Sequence, residues 1–349
     1  GGLFFTVNGA RMDVLEDFGG AVIESFLPAL FTAFVTANVL ACLCGWALSR
    51  TKPAEPRWTL PREAREIELQ TEDGAVVVGW TKGEGQDVFL LHGLGGLSTS
   101  YHFLFKRLAT KGFRVTAFDL RTHGQSARAR KITPELLAAD LALILERCNA
   151  RDSLLVGYDL GGYAVQALCA FHPQVVATRV RGLVLLSSYS SQPSAWHFGF
   201  GSFFTASGLL HAVCRSKYIS NSWSRPFFGK ATNKTMQEEW RRMFLSNPPR
   251  TTSMAVQAIS KDLTTHLCKI RAPVLLVCGE SDSICRDSQA SMLAALKQAQ
   301  PDLEMVWLRG IGHEILWEAP DRLTALISEF AASLQAASGS ADLAGGDID

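Results

Sequence analysis

Over most of this chain, short apolar runs alternate with longer amphipathic stretches, the rhythm of strands and helices taken in turn. Glu66–Gln70, which alternates polar and apolar residues, and the apolar run Val76–Trp80 flank the turn Glu72-Asp73-Gly74, which predicts a hairpin. Val88–Leu91 reads as a short buried strand, followed by a helix near Thr99–Lys111 and a strand over Phe113–Phe118. Thr133-Pro134 has the form of a helix start, with Thr as N-cap and Pro in the first turn, and the helix is expected to reach about Asn149. Ser153–Gly157 predicts the next strand and Gly161–His172 the helix leaving it. Val180–Ser187, Pro273–Cys278 and Leu303–Leu308 predict further strands, and a helix from Pro320 to about Leu334 closes the pattern. Strands alternating with helices in this way imply a mostly parallel sheet covered on both faces.

Three stretches depart from that rhythm. Between about Tyr189 and Asp262 there is no strand pattern but many aromatic residues, including Trp196, Phe204, Trp223, Phe227 and Trp240. This predicts a mainly helical insertion over the strand ends, where sites in such sheets lie. The second departure is the run from Phe26 to Leu48, 23 residues without a charge. That length crosses about 30 Å of hydrocarbon as a helix, and Trp46 suits an interfacial anchor. Acidic Asp13, Glu16, Asp17 and Glu24 precede the run, while Arg50, Lys52, Arg57, Arg62 and Arg65 follow it. The expectation is a single-pass membrane protein, of the endoplasmic reticulum or plasma membrane, with its globular part cytoplasmic and lipid as a partner through residues 26–48. A cleaved signal peptide fits less well, and a buried amphipathic helix is the plainer alternative. Third, the tail from Ser338 to Asp349 is small and acidic and is expected to be disordered. The expected division is therefore an N-terminal segment 1–25, a transmembrane helix 26–48, a linker 49–63, a core 64–189, a lid 190–262, a second core segment 263–337 and a tail 338–349.

Composition narrows the function classes. At 349 residues the chain can hold one large α/β domain with additions. The net charge of +1, with basic residues scattered, gives no electrostatic footprint for nucleic acid. Eight cysteines at positions 42, 44, 148, 169, 214, 268, 278 and 285 have no metal-ligand spacing and read as small core residues of a reducing compartment, so no metal is expected.

The chemistry centres on Gly157-Tyr158-Asp159-Leu160-Gly161, a sharp strand-to-helix turn with a carboxylate where a serine is usual. A carboxylate needs no deprotonation and attacks a carbon bearing a leaving group. Such a nucleophile needs partners, and the chain supplies them at later strand ends. Asp282 follows one strand, with Glu280 as a rival acid, and His313 follows the last, giving the order nucleophile, acid, histidine. His313 would be the base, held by Asp282. The turn His92-Gly93-Leu94-Gly95-Gly96 brings the N–H of Leu94 toward the site, where it would form an oxyanion hole with the N–H of Leu160. Asp119, Arg121 and His123 follow another strand and are expected to brace loops.

Together these residues resemble the α/β-hydrolase superfamily over about residues 64–335. The resemblance implies the α/β-hydrolase fold: a mostly parallel central sheet with helices on both faces and a helical lid insertion, here preceded by the single N-terminal transmembrane helix. Asp at the elbow is similar to the epoxide hydrolase and haloalkane dehalogenase branch. Leu160 stands where such dehalogenases carry a halide-binding Trp, and Gly95 where a proline is usual. The resemblance implies an Asp159–His313–Asp282 triad, a covalent ester on Asp159, and lid tyrosines, here Tyr218 and Tyr189, that protonate an epoxide oxygen. It implies a small apolar substrate, water as co-substrate and no cofactor. Other activities of the same triad (ester hydrolysis, dehalogenation, cofactor-free lyase or isomerase chemistry) and a non-catalytic, membrane-tethered binding role remain alternatives.

Overall fold

The computed structural model describes residues 4–7, 10–13, 32, 36, 55–126, 129–193, 209–230 and 232–344. The chain divides into two units, 1–51 and 52–349. In the first, β1 (Phe4–Val7) pairs antiparallel with β2 (Ala10–Asp13). The expected membrane span lies outside the described residues except for Thr32 and Thr36, both helical. Among the described residues no helix is long and apolar enough to cross a membrane.

In the second unit β3 (Arg65–Gln70) and β4 (Val76–Lys82) form the expected hairpin, with Gln70 opposite Val76. The strands β5 (Asp87–Leu91), β6 (Arg114–Asp119), β7 (Ser153–Tyr158), β8 (Val180–Leu186), β9 (Val274–Gly279) and β10 (Met305–Leu308) complete a sheet ordered β10-β9-β8-β7-β5-β6-β4-β3. Pairing is parallel from β10 through β6 and antiparallel at β4 and β3. The central strands are apolar throughout because both faces are covered. Along β5, Phe89 and Leu91 point into one core and Val88 and Leu90 into the other, the period-two alternation of a pleated strand.

The predicted helices between the strands form in order as α1 (His102–Thr110), α2 (Pro134–Arg147) and α3 (Leu160–Phe171), and a further short helix, α4 (Pro173–Arg179), lies before β8. Thr133 caps α2 as expected, its hydroxyl accepting from the Leu136 N–H at 3.2 Å. The aromatic insertion folds as α5 (Leu209–Arg215), α6 (Lys217–Ser224), α7 (Lys234–Ser246) and α8 (Pro249–Ile259). After it come α9 (Thr264–Leu267), α10 (Arg286–Lys297), α11 (Ile315–Glu318) and α12 (Pro320–Ala344). Helix α12 runs past Leu334 into the stretch expected to lack structure, and the alanines from Ala331 onward, strong helix formers, account for the extension.

The stretch read as a linker is docked rather than loose from Glu55 on. The backbone N–H groups of Arg57 and Trp58 both donate to Oε1 of Glu239 on α7, at 2.6 and 2.8 Å. The Trp58 ring packs edge-on against Trp317, with centroids 4.9 Å apart.

Arg121 braces its loop as expected, and does so from a fully buried position. Its Nε and Nη2 donate to the two oxygens of Asp140 on α2, each at 2.6 Å, and its Nη1 reaches Asp73 in the β3–β4 turn at 3.1 Å. Removing one partner of a buried pair strands the other charge. Arg121→Leu should therefore lower the unfolding free energy by about 3–5 kcal/mol, read from urea melts.

Candidate active site

The site begins with a backbone constraint. At the end of β7, Asp159 takes φ +50° and ψ −115°, a conformation that non-glycine residues rarely adopt. The flanking glycines make that turn possible. A Cβ on Gly161 would overlap the carbonyl of Leu91, and one on Gly157 would fall 2.5 Å from the Cα of Gly162. The elbow is locked by backbone bonds from Asp159 N–H to the Leu186 carbonyl and from Tyr163 N–H to the Asp159 carbonyl, both 3.1 Å.

The bend presents the Asp159 carboxylate to two partners. The Leu94 N–H donates to its Oδ2 at 2.7 Å, and Oδ1 lies 3.7 Å from Nε2 of His313. On the other side of the ring, His313 Nδ1 is 2.9 Å from Asp282 Oδ2. Asp282 is itself fixed: its Oδ1 accepts from the N–H groups of Ile284 and Cys285, and its Oδ2 from Gln289 at 3.1 Å. Burial pushes the Asp282 carboxyl up, but the His313 charge and these hydrogen bonds outweigh it and leave its pKa below the ordinary carboxylate value. Burial likewise opposes charge on His313, yet Asp282 and Asp159 together hold the imidazole well above its ordinary pKa.

Of the residues singled out in the sequence, Asp159, Asp282, His313 and the Leu94 N–H converge. The N–H of Leu160, in the first turn of α3, belongs to the four donors that a helix leaves without an internal partner. Glu280 does not converge; its carboxylate braces the Gly310 N–H at 3.1 Å. Tyr218 points the other way and is 88% exposed. Its helix, α6, turns Ser220 and Ser224 inward, which leaves Tyr218 on the opposite face. Tyr189 is fully buried just after β8, its ring 6.1 Å from that of Tyr163, and its phenol interacts with Asp159 without joining the cavity wall.

Above the carboxylate lies a small cavity roofed by Trp223, Phe227, Trp240 and Phe244 from the lid, with Ile284 and Trp317 at its sides. Trp240 and Phe244 stack with an interplanar angle of 8°. Three contributors escaped the sequence reading. Asn247, at the end of α7, accepts from the Gly124 N–H and donates to the Gly95 carbonyl, so it ties the lid to the glycine-rich turn. Glu314 lines the cavity beside His313, and Tyr158 lines it beside Asp159. The only signal for these two was adjacency in sequence to the expected catalytic residues.

His92 and His123 support the Leu94 turn. The Leu120 N–H donates to His92 Nε2 at 2.9 Å, which leaves Nδ1 to donate to the Gly93 carbonyl at 2.8 Å. Burial lowers the pKa of His92 to about 4 and that of His123 to about 3, so both are neutral props. Asp159, Cys285 and His313 also place ligand atoms within 4.8 Å of one another. As a metal set they fit poorly: burial pushes the Cys285 thiol up to about 12, and His313 Nδ1 already faces Asp282.

A family model described as the alpha/beta hydrolase family matches residues 88–326. The chain is 27% identical over 165 residues to the sn-1-specific diacylglycerol lipase ABHD11 of Danio rerio, covering 47% of this chain and 50% of that protein. It is 30% identical over 109 residues to the bifunctional epoxide hydrolase 2 of Sus scrofa, covering 30% of this chain and 19% of that protein. The matches thus span half or less of those two relatives. Among solved structures, the esterase EaEST from Exiguobacterium antarcticum superposes with a TM-score of 0.66 at 18% identity, covering 76% of this chain and 99% of that one. That likeness concerns the fold.

Two variants separate Asp282 from its rival. Asp282→Asn should bring the imidazole titration of His313 downward, followed by NMR of the ring protons, whereas Glu280→Gln should leave it in place.

Proposed function

This chain belongs to the alpha/beta hydrolase family, and we propose that within it the protein opens apolar epoxides to diols through a covalent ester on Asp159. The observation that carries this reading is the division of labour between the two carboxylate oxygens. Oδ2 already accepts from the Leu94 N–H, while Oδ1 lies free of that bond on the His313 side. In the first step Oδ1 attacks an epoxide carbon. The ring C–O bond breaks, its electron pair stays on the leaving oxygen, and that oxygen takes a proton. The product is a hydroxy-ester whose carbonyl oxygen is Oδ2.

In the second step His313 takes a proton from water as the water oxygen attacks the ester carbon. Charge then develops on Oδ2, where the Leu94 N–H already sits, with the Leu160 N–H at the start of α3 as the second donor of this proposal. Collapse of the tetrahedral intermediate expels the diol, which recovers the proton from His313, and Asp159 retains one oxygen from water. Asp282 holds the imidazole in orientation throughout. The aromatic roof favours an apolar substrate over a charged one, and Leu160 offers no ring N–H to a departing halide.

The names of the lipase and esterase relatives favour a second reading, ester hydrolysis in which His313 activates water directly and Asp159 forms no bond. We further propose the membrane anchor over residues 26–48, on the charge-free run and the excess of basic residues after it.

A single turnover in H₂¹⁸O distinguishes the chemistries. The covalent route predicts a first diol without label, since its new oxygen comes from Asp159; a fully labelled first product rejects it. For the anchor, the full chain should stay in the membrane pellet after carbonate extraction while a fragment beginning at Arg57 is released. Extraction of both would reject the anchor.

A further inference from the structure

The proposed first step needs a proton for the leaving oxygen, and neither expected tyrosine lines the cavity. We propose that Glu314 is the acid that protonates the epoxide oxygen, with the Tyr158 hydroxyl as its positioning partner. The inference rests on the epoxide-opening reading above.

The geometry carries it. Glu314 follows His313 directly, is only 6% exposed, and its side chain shares the cavity wall with Asp159 and His313. Its backbone is pinned where the lid meets the core, because its N–H donates to the Phe227 carbonyl at 3.0 Å. Tyr158, the residue before Asp159, lines the same cavity as Glu314, its hydroxyl acts to lower the Glu314 pKa, and its ring centroid lies 5.3 Å from that of His313. The acid and the nucleophile thus line one cavity, together with Tyr158 and His313.

The groups that face Glu314 are Tyr158, His313, Asp159 and Glu318. Glu318 is engaged elsewhere, its carboxylate accepting from the N–H groups of Gly312 and Gly229 at 2.7 and 2.8 Å. Burial raises the Glu314 pKa to about 7; the nearby His313 charge and the Tyr158 hydroxyl pull it back, while Asp159 adds to the rise. A carboxylic acid of that strength holds its proton at neutral pH and can give it up to a nascent alkoxide. In the step itself the Glu314 O–H bond breaks as the leaving oxygen gains the proton. The resulting carboxylate is reprotonated from water before the next turnover.

The test uses the full chain, styrene oxide as probe and intact mass to follow the ester on Asp159. His313→Gln should trap the ester. Adding Glu314→Gln, which is isosteric and preserves burial, should slow ester formation by about 10²-fold or more. It should also abolish a fall in that rate as pH rises through and above 7. Tyr158→Phe in the same background should slow the step less and keep the pH dependence. Equal rates with and without Glu314, or a larger loss from Tyr158→Phe with the pH dependence unchanged, overturn the assignment. So does the absence of any ester in His313→Gln when the wild-type first turnover is unlabelled, since His313 would then be the acid. Should Glu314→Gln fail to fold, a pH-independent ester-forming rate in His313→Gln alone overturns it. A labelled first turnover in the wild type instead rejects the epoxide reading on which the assignment stands.

Discussion

A single bent residue organises this site. Holding Asp159 at φ +50° costs about 1–3 kcal/mol, and the structure sustains it through close packing that only glycine permits on either side. Gly161 lies against the Leu91 carbonyl and Gly157 against the start of the same helix, so strand β7 and helix α3 approach more closely than a Cβ allows. That approach does two things at once. It lifts the carboxylate out of the sheet plane, and it brings β5, whose end carries the Leu94 turn, within reach of Oδ2. If the bend relaxed, the carboxylate and its N–H donor would separate together.

Much of this was legible in the sequence because it is written in local chemistry. The Gly-x-Asp-x-Gly frame, the Thr133-Pro134 helix start and the apolar runs each encode a backbone preference that the fold obeys. Less legible was what depends on where side chains from distant elements meet. Asp282 and Glu280 flank the same strand end, and only the placement of Gln289 and the Ile284 and Cys285 N–H groups selects Asp282. The resemblance points to Tyr218 as a lid tyrosine, yet the rotation of α6 turns it outward. Glu314 was passed over because a carboxyl next to a histidine in sequence gives no sign of burial. Gly95, which departs from the usual proline, has a plain explanation: its φ of +72° is closed to proline, and Phe244 packs where a side chain would stand.

The lid is bound to the core at points that matter for chemistry. Asn247 holds the glycine-rich turn from above, and Glu239 grips the segment that leads in from the N-terminal side. Trp58 of that segment backs Trp317, which forms part of the cavity wall. The proline-rich stretch is therefore part of the architecture around the pocket as well as a connection.

The position of His313 between two carboxylates has a consequence in time as well as in space. One of the influences that raise its pKa is Asp159 itself. In the proposed reaction, ester formation consumes that negative charge, so the imidazole loses one of its supports and releases its proton to solvent more readily. It becomes a base just when a water must be activated. Hydrolysis then restores the carboxylate and with it the affinity of the ring for a proton. The nucleophile thus acts as a clock for the base, its charge state setting when the ring can take up a proton.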